Sequence, residues 1–226
     1  MSMSMSMSMS TASTSFICLT GPLGFYPVVP TAQWVQRLLD WGVRTVQLRI
    51  KAADHSPAEI AAQVQAAVVA GRAVPGAQVF INDHWKLALA CRAYGVHLGQ
   101  EDLDTADIEA LRQAGLRLGL STHTLAELAR AHAVQPSYLA IGPIYPTTLK
   151  VMPYPPVGLQ QLALWAPLAA PYPVVAIGGI SLERLPGVMA CLKGANDGAA
   201  VVSAVTLAAD APQAARQGLR LVLRAR

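Results

Sequence analysis

Short apolar runs alternate with amphipathic segments from residue 16 to the end of the chain. The apolar runs predict eight strands, at 16–20, 45–50, 78–81, 95–98, 117–120, 138–141, 174–177 and 199–202. Helical patterns lie between these runs, and no linker interrupts the alternation. Eight such units predict an α/β fold, a (β/α)8 TIM barrel that forms one domain over residues 16–226. A doubly wound open sheet gives a similar alternation with fewer units and is the second candidate.

Two helix starts carry capping signals. Ser56 precedes Pro57 and Glu59, and Thr124 precedes Glu127 by three residues. In a capping box, the hydroxyl of the first residue accepts from the backbone of the fourth, whose carboxylate bonds back to the first. Both segments are therefore predicted to begin helices.

The first fifteen residues differ in character from the rest. They are rich in Ser and Met, uncharged and low in complexity, which predicts a disordered tail over 1–15. A secretory signal begins with a basic region, and the first Lys or Arg of this chain is Arg37, so a targeting segment is not indicated. In the remaining chain, Gly, Pro or charge interrupts every apolar stretch before it reaches the roughly 20 residues of a membrane helix.

Composition and charge narrow the class of protein. Hydrophobic residues make up 53% of the chain and charged residues 13%, which excludes disorder of the whole chain. The net charge of +4 is scattered without a basic run, so small anionic ligands are expected, and neither nucleic acid nor a membrane surface is. Three cysteines that stand far apart suit a reducing, cytoplasmic location. Small-molecule substrates are the expected partners, and the sequence allows a homo-oligomer.

Chemistry in a TIM barrel belongs to the carboxyl ends of the strands and the loops beyond them. The second predicted strand ends with Gln47, Arg49 and Lys51, which share one face because a strand alternates its side chains. An amide and two cations on one face suit a phosphate-rich ligand, since a guanidinium can bind two oxygens at once. A solvated basic edge is the alternative interpretation.

Carboxylates follow the third and fourth predicted strands. Asn82 and Asp83 follow one strand, and Asp102 follows the other. Mg²⁺ often takes one or two protein carboxylates together with diphosphate oxygens and water, so Asp83 and Asp102 are predicted to share such an ion. The structural alternatives are a helix cap for Asp83 and a loop or capping acid for Asp102.

The loops after the later strands supply hydroxyls and glycines. Ser121 follows the fifth strand, where a helix or turn cap is its alternative role. The loop over 142–150 is rich in turn formers and hydroxyls and contains one cation. A Gly-Gly pair at 178–179 and a Val-Ser pair at 202–203 follow the last two strands, where barrel enzymes often bind phosphate through backbone N–H groups. A simple tight turn is the alternative for the glycines.

Seven motifs in order give a family resemblance. They are QLRIK at 47–51, IND at 81–83, GVHLGQEDL at 95–103, LSTHT at 120–124, GPIYPTTLK at 142–150, IGGI at 177–180 and VVSA at 201–204. Together they resemble the thiamine phosphate synthase (thiamine-phosphate pyrophosphorylase) family over nearly the whole chain after the tail. The resemblance implies a Mg²⁺-dependent transferase of thiamine biosynthesis with a (β/α)8 barrel. Such an enzyme joins hydroxymethylpyrimidine diphosphate to hydroxyethylthiazole phosphate, or its carboxylated form, and releases diphosphate.

The resemblance also implies a role for each matching residue. The pyrimidine diphosphate would contact Gln47, Leu48, Arg49, Ile50, Lys51, Asn82, Ser121 and Lys150. The thiazole phosphate would contact Thr147, Thr148, Leu149, Gly179, Val202 and Ser203. Mg²⁺ would be held by Asp83 and Asp102. The catalytic residues would be Arg49, Lys51, Ser121 and Lys150.

Two positions depart from the family pattern. The family commonly has Glu at the position of Ile50, whose side chain is expected to face the barrel wall because its parity is opposite to that of Arg49. The family loop reads T-x-T-K, so Leu149 lacks a hydroxyl that should face the thiazole substrate.

Two other functions stay open. One is a thiazole tautomerase of the same barrel superfamily, in which His123 of the STH motif would transfer protons. The other is a non-catalytic phosphate-binding barrel, suggested by the departures at Ile50 and Leu149. An assay with both substrates and Mg²⁺ separates the three functions, because only the synthase needs both substrates to form thiamine phosphate.

Overall fold

Eight parallel strands close into a barrel in the computed structural model, which describes residues 15–147 and 154–225. The strands follow one another around the barrel in chain order, and the last pairs with the first. They are β1 (Gly24–Val29), β2 (Thr45–Leu48), β3 (Gln78–Asn82), β4 (Gly95–Leu98), β5 (Arg117–Thr122), β6 (Tyr138–Ile141), β7 (Val174–Ile177) and β8 (Gly198–Val201). The predicted TIM barrel is confirmed, and the open sheet is excluded because the closed sheet has no edge strand.

Helices surround the barrel between and after the strands. Within the described residues they are α1 (Ala32–Asp40), α2 (Pro57–Arg72), α3 (Trp85–Ala90), α4 (Ile108–Gln113), α5 (Leu125–Val134), α6 (Gly158–Trp165), α7 (Leu185–Ala190), α8 (Ser203–Thr206) and α9 (Ala211–Arg224). Short 3₁₀ helices lie at Ala52–Asp54, Asp102–Asp104 and Ala166–Ala169. None of the helices in this part of the chain is long and apolar enough to cross a membrane.

The predicted capping signals begin two of these helices. Ser56 caps α2 and exchanges both bonds of a capping box with Glu59, as predicted. The Thr124 hydroxyl caps α5 by accepting from the Glu127 N–H. The Glu127 carboxylate, however, accepts from the backbone N–H of His123 at 2.7 Å, and the same oxygen contacts the His123 ring. The second capping box is therefore only half formed.

Each strand has one face toward the helices and one toward the barrel interior. Outward residues such as Leu48 pack in the large core beneath the helices. The interior is filled mainly by the aromatic rings of Tyr26, Phe80 and Tyr138, and the ring centroids of Phe80 and Tyr138 are 5.1 Å apart. Gly119 leaves the space that the Tyr138 ring occupies, since a Cβ atom at that position would overlap the ring. Below the carboxyl ends of the strands, packed aromatic side chains therefore fill the barrel interior.

The first strand does not lie where the sequence predicted it. Residues 16–20 form no strand, and β1 is buried along its whole length and pairs with both β2 and β8. Gly24 and Pro27 weaken the local strand signal, but pairing on both sides and complete burial outweigh that propensity. Residues 16–20 instead cross the amino end of the barrel, where Arg117 Nε donates to the carbonyl of Cys18 at 3.0 Å.

The other predicted strands are confirmed with small shifts at their ends. β2 ends two residues before the predicted end at residue 50, and β5 continues to Thr122. The predicted tail over 1–15 lies outside the described residues, except for Ser15.

Candidate active site

The carboxyl ends of β2 to β5 bring several predicted residues to one end of the barrel. Gln47 and Asn82 lie at inward positions of β2 and β3 and are buried. Asn82 pairs in register with His97 of β4, and Ser121 on β5 is half-buried. Asp83 follows Asn82 directly, and its N–H donates to the His97 carbonyl at 3.0 Å. The sequence prediction that these residues share one end of the barrel is therefore confirmed.

Asp83 and Asp102 form a close pair of carboxyl groups at this end. Desolvation raises the pKa of Asp83 to about 6, with smaller contributions from the negative charge of Asp102 and a hydrogen bond between the two carboxyls. The charges of Arg49 and His84 oppose that rise, which places both side chains nearby. Asp102 Oδ2 also accepts from the Gly99 N–H at 2.9 Å, which fixes the loop after β4.

The structure rules out the helix-cap role for Asp83 and bears out the loop role for Asp102. The N-cap residue of α3 is His84, and it makes no side-chain capping bond, so Asp83 does not serve as the cap. Asp83 instead adopts φ 58°, a left-handed conformation in which Asp is tolerated better than most residues. Asp102 does stabilise the loop after β4 by accepting from the Gly99 N–H, but its carboxyl group still lies against that of Asp83.

The donor set fits a hard divalent cation. Two carboxyls forced together without a cation repel each other, and a cation between them would relieve that repulsion. No cluster of three or more His, Cys, Asp or Glu suited to a metal occurs within residues 15–147 and 154–225. Two carboxylates alone match Mg²⁺, which usually keeps several waters and takes further oxygens from a bound diphosphate.

Residues 48–51 at the end of β2 direct their side chains alternately toward the outer core and toward the candidate site. Arg49 is half-buried, and its N–H donates to the Val29 carbonyl at 2.8 Å, so the β1–β2 pairing extends past Leu48. Lys51 is exposed and is the N-cap residue of the 3₁₀ helix at Ala52–Asp54. The side chains of Leu48 and Ile50 are buried in the outer core, so these two residues can contact a ligand only through their backbone. The expected orientation of Ile50 is confirmed.

A hydrogen-bond chain in the interior was not anticipated from the sequence. Gln47 Nε2 donates to the Tyr26 hydroxyl at 3.2 Å, and the Tyr26 and Tyr138 hydroxyls are 2.9 Å apart. The Tyr138 hydroxyl lies 2.7 Å from His97 Nδ1, and His97 Nε2 lies 2.9 Å from Ser121 Oγ. Ser121 therefore ends this chain and does not cap α5. Of the three residues that connect Gln47 to Ser121, only His97 gave a signal in the sequence, as a polar residue between apolar neighbours of a buried strand.

The loops after β6 and β7 lie against each other. The Ile144 N–H donates to the Ile177 carbonyl at 2.9 Å, and the Tyr145 N–H donates to the Gly178 carbonyl at 3.0 Å. Gly178 and Gly179 both have positive φ, at 103° and 64°. A Cβ atom on Gly179 would lie 2.6 Å from the Pro146 carbonyl oxygen. The glycines therefore permit close packing of two loops as well as a backbone approach to phosphate.

Arg184 joins these two loops and was missed by the sequence analysis. Its Nη1 donates to the Gly179 carbonyl at 2.7 Å, and its guanidinium lies over the Tyr145 ring at 4.3 Å from the centroid. Beyond β8, Val202 is half-buried and precedes α8, and Ser203 is the exposed first residue of that helix.

The loop after β6 is only partly described. Thr147 is half-buried, whereas Thr148, Leu149 and Lys150 lie outside the described residues. The roles predicted for these three residues, and the contacts predicted for Thr147, stay predictions.

His123 belongs to a separate cluster beside the site. Its Nδ1 lies 2.8 Å from Glu127 Oε2, and its ring stacks on Tyr154 with centroids 5.3 Å apart. The Tyr154 hydroxyl donates to the other Glu127 oxygen at 3.1 Å. Glu127 holds His123 at Nδ1 and Tyr154 covers one face of its ring, so His123 is suited to packing and to fixing the Glu127 side chain.

Comparisons with known proteins agree with this geometry. A family model described as "Thiamine monophosphate synthase" matches residues 25–205. The thiamine-phosphate synthase of Salmonella schwarzengrund (strain CVM19633) is 56% identical over 188 residues, which cover 83% of this chain and 86% of that protein. The thiamine-phosphate synthase of Escherichia coli O1:K1 / APEC is 55% identical over the same shares of the two chains.

Solved structures give the same family. The thiamine phosphate pyrophosphorylase from Pyrococcus furiosus superposes with a TM-score of 0.75 and 31% identity, covering 90% of this chain and 96% of that one. The 3-hexulose-6-phosphate synthase from Salmonella typhimurium, at 16% identity and a TM-score of 0.67, shares the fold alone. The family model and the relatives each extend over most of the barrel, and so this chain belongs to the thiamine monophosphate synthase family of transferases.

Proposed function

We propose that this chain joins hydroxymethylpyrimidine diphosphate to hydroxyethylthiazole phosphate, or to its carboxylated form, and releases diphosphate. The observation that carries the proposal is the close set of Arg49, Asp83 and Asp102 at the carboxyl end of the barrel. A guanidinium beside two carboxylates suits a diphosphate together with its divalent cation. The membership of the chain in the thiamine monophosphate synthase family supplies the identity of the two rings.

Departure of diphosphate is the first step of the proposed reaction. The bond between the pyrimidine methylene carbon and the diphosphate oxygen breaks, and diphosphate leaves with the electron pair. The electron-rich aminopyrimidine stabilises the positive charge that remains on the methylene carbon. Arg49 and Lys51 stabilise the negative charge on the leaving group electrostatically, so the step needs no side-chain nucleophile. Lys150 is proposed to act with them.

Asp83 and Asp102 would hold Mg²⁺ at this site. When bound, Mg²⁺ would neutralise charge on the diphosphate oxygens as a Lewis acid. Desolvation and, to a smaller extent, the charge of Asp102 raise the pKa of Asp83, and a bound cation would oppose both effects, which supports this role.

Capture by the thiazole completes the proposed reaction. The lone pair of the thiazole nitrogen forms the new C–N bond, and no proton needs to move. Backbone N–H groups beside Gly179, Val202 and Ser203 would bind the thiazole phosphate, with Thr147, Thr148 and Leu149 along the ring. Holding both rings at attack distance contributes a large part of the acceleration.

We also propose a cytoplasmic setting in which small molecules are the partners. The scattered charge and three free cysteines support this, and no nucleic acid or membrane partner is proposed. A homo-oligomer is compatible with the proposal, and light scattering on the purified protein measures it.

The two-substrate assay tests the proposal. The purified protein is incubated with both substrates and Mg²⁺, and thiamine phosphate and diphosphate are quantified. We expect equal amounts of the two products, only when both substrates are present, with loss on chelation and recovery on Mg²⁺ addition. Isomerisation of the thiazole carboxylate without the pyrimidine would indicate a tautomerase. Binding of the phosphates without any turnover would indicate a non-catalytic barrel.

A matched pair of variants links the activity to the site. Arg49→Gln should lower kcat/KM about 100-fold or more, because it removes a positive group aimed at the developing charge. Arg44→Gln removes the same charge just before the amino end of β2, where the guanidinium donates to the Leu39 and Val43 carbonyls. Its kcat/KM should stay within about twofold of the unmodified chain, as is usual for a change far from the chemistry.

A further inference from the structure

The hydrogen-bond chain through the barrel interior has two ends, and both reach the proposed pyrimidine site. Gln47 stands at one end and Ser121 at the other, and Tyr26, Tyr138 and His97 connect them. The five side chains come from five different strands. The order of protons along the chain therefore affects what each end offers to a ligand.

The Gln47 amide sets the direction of the chain. Its nitrogen can only donate, so the Tyr26 oxygen accepts from it, and the proton of Tyr26 goes to its other neighbour, Tyr138. Tyr138 then donates its own proton to His97 Nδ1. In the reverse direction Tyr26 would receive two protons and its own would have no acceptor. Tyr26 is only 1% exposed, so an unpaired hydroxyl proton there would be unfavourable.

Burial keeps each member in the state that this order needs. It raises the pKa values of the Tyr26 and Tyr138 hydroxyls, so both keep their protons. His97 Nδ1 accepts the Tyr138 proton and so carries none of its own, which makes the buried His97 ring neutral. A neutral imidazole that accepts at Nδ1 carries its proton on Nε2.

We propose that the chain holds His97 as the Nε2–H tautomer and thereby turns the Ser121 proton toward the substrate, with Tyr26, Tyr138 and His97 as positioning residues. Because Nε2–H donates to Ser121 Oγ, the Ser121 hydroxyl is left to donate to the ligand. At the other end, Gln47 Oε1 accepts from no residue that the structure describes, so it offers an acceptor. This inference rests on the proposed function.

A donor at one end of the chain and an acceptor at the other match the ring of an aminopyrimidine. In that ring a nitrogen that accepts lies beside an amino group that donates. A pyrimidine with a carbonyl in place of the amino group presents an acceptor where the amino donor was and carries its proton on a ring nitrogen, so it would leave the Gln47 oxygen without its donor. Buried polar groups left without partners reject such analogues more strongly than a change of shape does.

The tautomer of His97 is the direct test, and it needs no substrate. Long-range ¹H–¹⁵N correlation spectra of the full chain labelled at histidine distinguish Nε2–H from Nδ1–H for each of the five histidines. The His97→Gln variant assigns the signal. We expect His97 to be neutral and protonated on Nε2 at neutral pH. A signal from Nδ1–H, or from a doubly protonated ring, would overturn the proposal.

A pair of tyrosine variants tests the positioning role. Tyr138→Phe breaks the chain and should raise the KM for the pyrimidine diphosphate about fivefold to tenfold, the value of one hydrogen bond, with little change in the thiazole KM. The same variant should populate both His97 tautomers.

Tyr94→Phe is the matched control. It removes a hydroxyl that donates to Gln78 at the amino end, from a ring that also packs against Phe80, and it should leave both KM values unchanged. Equal kinetics for the two variants would overturn the positioning role. If the unmodified chain forms no thiamine phosphate, the proposed function fails, whereas the His97 spectrum still decides the direction of the chain.

Discussion

Replacing Asp83 by Asn should abolish turnover and at the same time stabilise the ligand-free protein. The Asp83 carboxyl is partly removed from water and lies against the Asp102 carboxyl, and the two repel each other when no cation is bound. The charge of Asp83 is therefore unfavourable in the folded state. An asparagine side chain at this position would keep the shape and remove that charge. A gain in stability with a loss of function is the pattern expected of a residue retained for a ligand.

The size of the gain follows from the pKa. The pKa of Asp83 rises from 3.8 to about 6, and at about 1.4 kcal/mol per pH unit this corresponds to roughly 3 kcal/mol for an enclosed group. The Asp83 residue as a whole is exposed, so screening by solvent reduces this energy. We expect the free energy of unfolding to rise by about 1–2 kcal/mol near pH 8.

The pH dependence gives the sign of the effect. Because the folded pKa lies above the unfolded one, the penalty is absent below the unfolded pKa and complete above the folded pKa. The advantage of the Asp83→Asn variant should therefore be full at about pH 8 and vanish at about pH 4. Urea unfolding of both proteins, in the presence of a chelator, measures it at each pH.

Asp104→Asn is the matched control for this measurement. Asp104 lies in the same 3₁₀ helix as Asp102 but is exposed and pairs with Arg130 at 2.6 Å. Its replacement should change the free energy of unfolding by no more than about 0.5 kcal/mol. An equal gain in both variants, or a gain for Asp83→Asn that does not depend on pH, would refute the unfavourable charge of Asp83 in the folded state.

Three further variants test separate parts of the molecule. Gly179→Ala should raise the KM for the thiazole phosphate about tenfold, with little effect on the KM for the pyrimidine diphosphate. The causes are backbone strain at φ 64° and the contact of the new Cβ atom with the Pro146 carbonyl. Equal rises of the two KM values in steady-state kinetics would contradict two separate pockets. Ser56→Ala should lower the free energy of unfolding by about 1 kcal/mol in urea without changing kcat/KM, because it removes the cap of α2. Leu149→Thr should raise kcat/KM for the thiazole about fivefold through one added hydrogen bond of about 1 kcal/mol, and a fall would contradict the predicted orientation of this residue.

The fold was predictable wherever local pattern and global packing agree. Seven of the predicted strands lie where apolar runs are bounded by turn residues, and the structure moves their ends by two residues at most. β1 was missed because its sequence contains Gly24 and Pro27, and because the apolar run at 16–20 gave the stronger local signal. Only the closure of the barrel, which pairs β1 with β8, reveals the correct segment. That pairing joins the two ends of the chain and leaves no local trace.

The site was predictable to the extent that it depends on the position of a residue along a strand. Arg49, Asp83 and Asp102 could be placed at the carboxyl end from chain order alone, since parallel strands end together. The bond between Tyr26 and Tyr138 could not be anticipated, because the residues are 112 positions apart and meet only through the register of the whole barrel. The same reason hid the contact of Arg184 with Tyr145, which depends on how two loops pack.

The unfavourable features of the molecule cluster where the ligand is proposed to bind. Asp83 combines a left-handed backbone with a carboxyl of raised pKa, and His97 is buried and neutral at the end of a tyrosine chain. The surrounding barrel compensates with a closed sheet and well-capped helices, such as α2 with its complete capping box at Ser56. Natural sequences break local rules mainly at functional sites and compensate elsewhere. That both departures lie at the carboxyl ends of adjacent strands is an argument for the site that does not depend on the family resemblance.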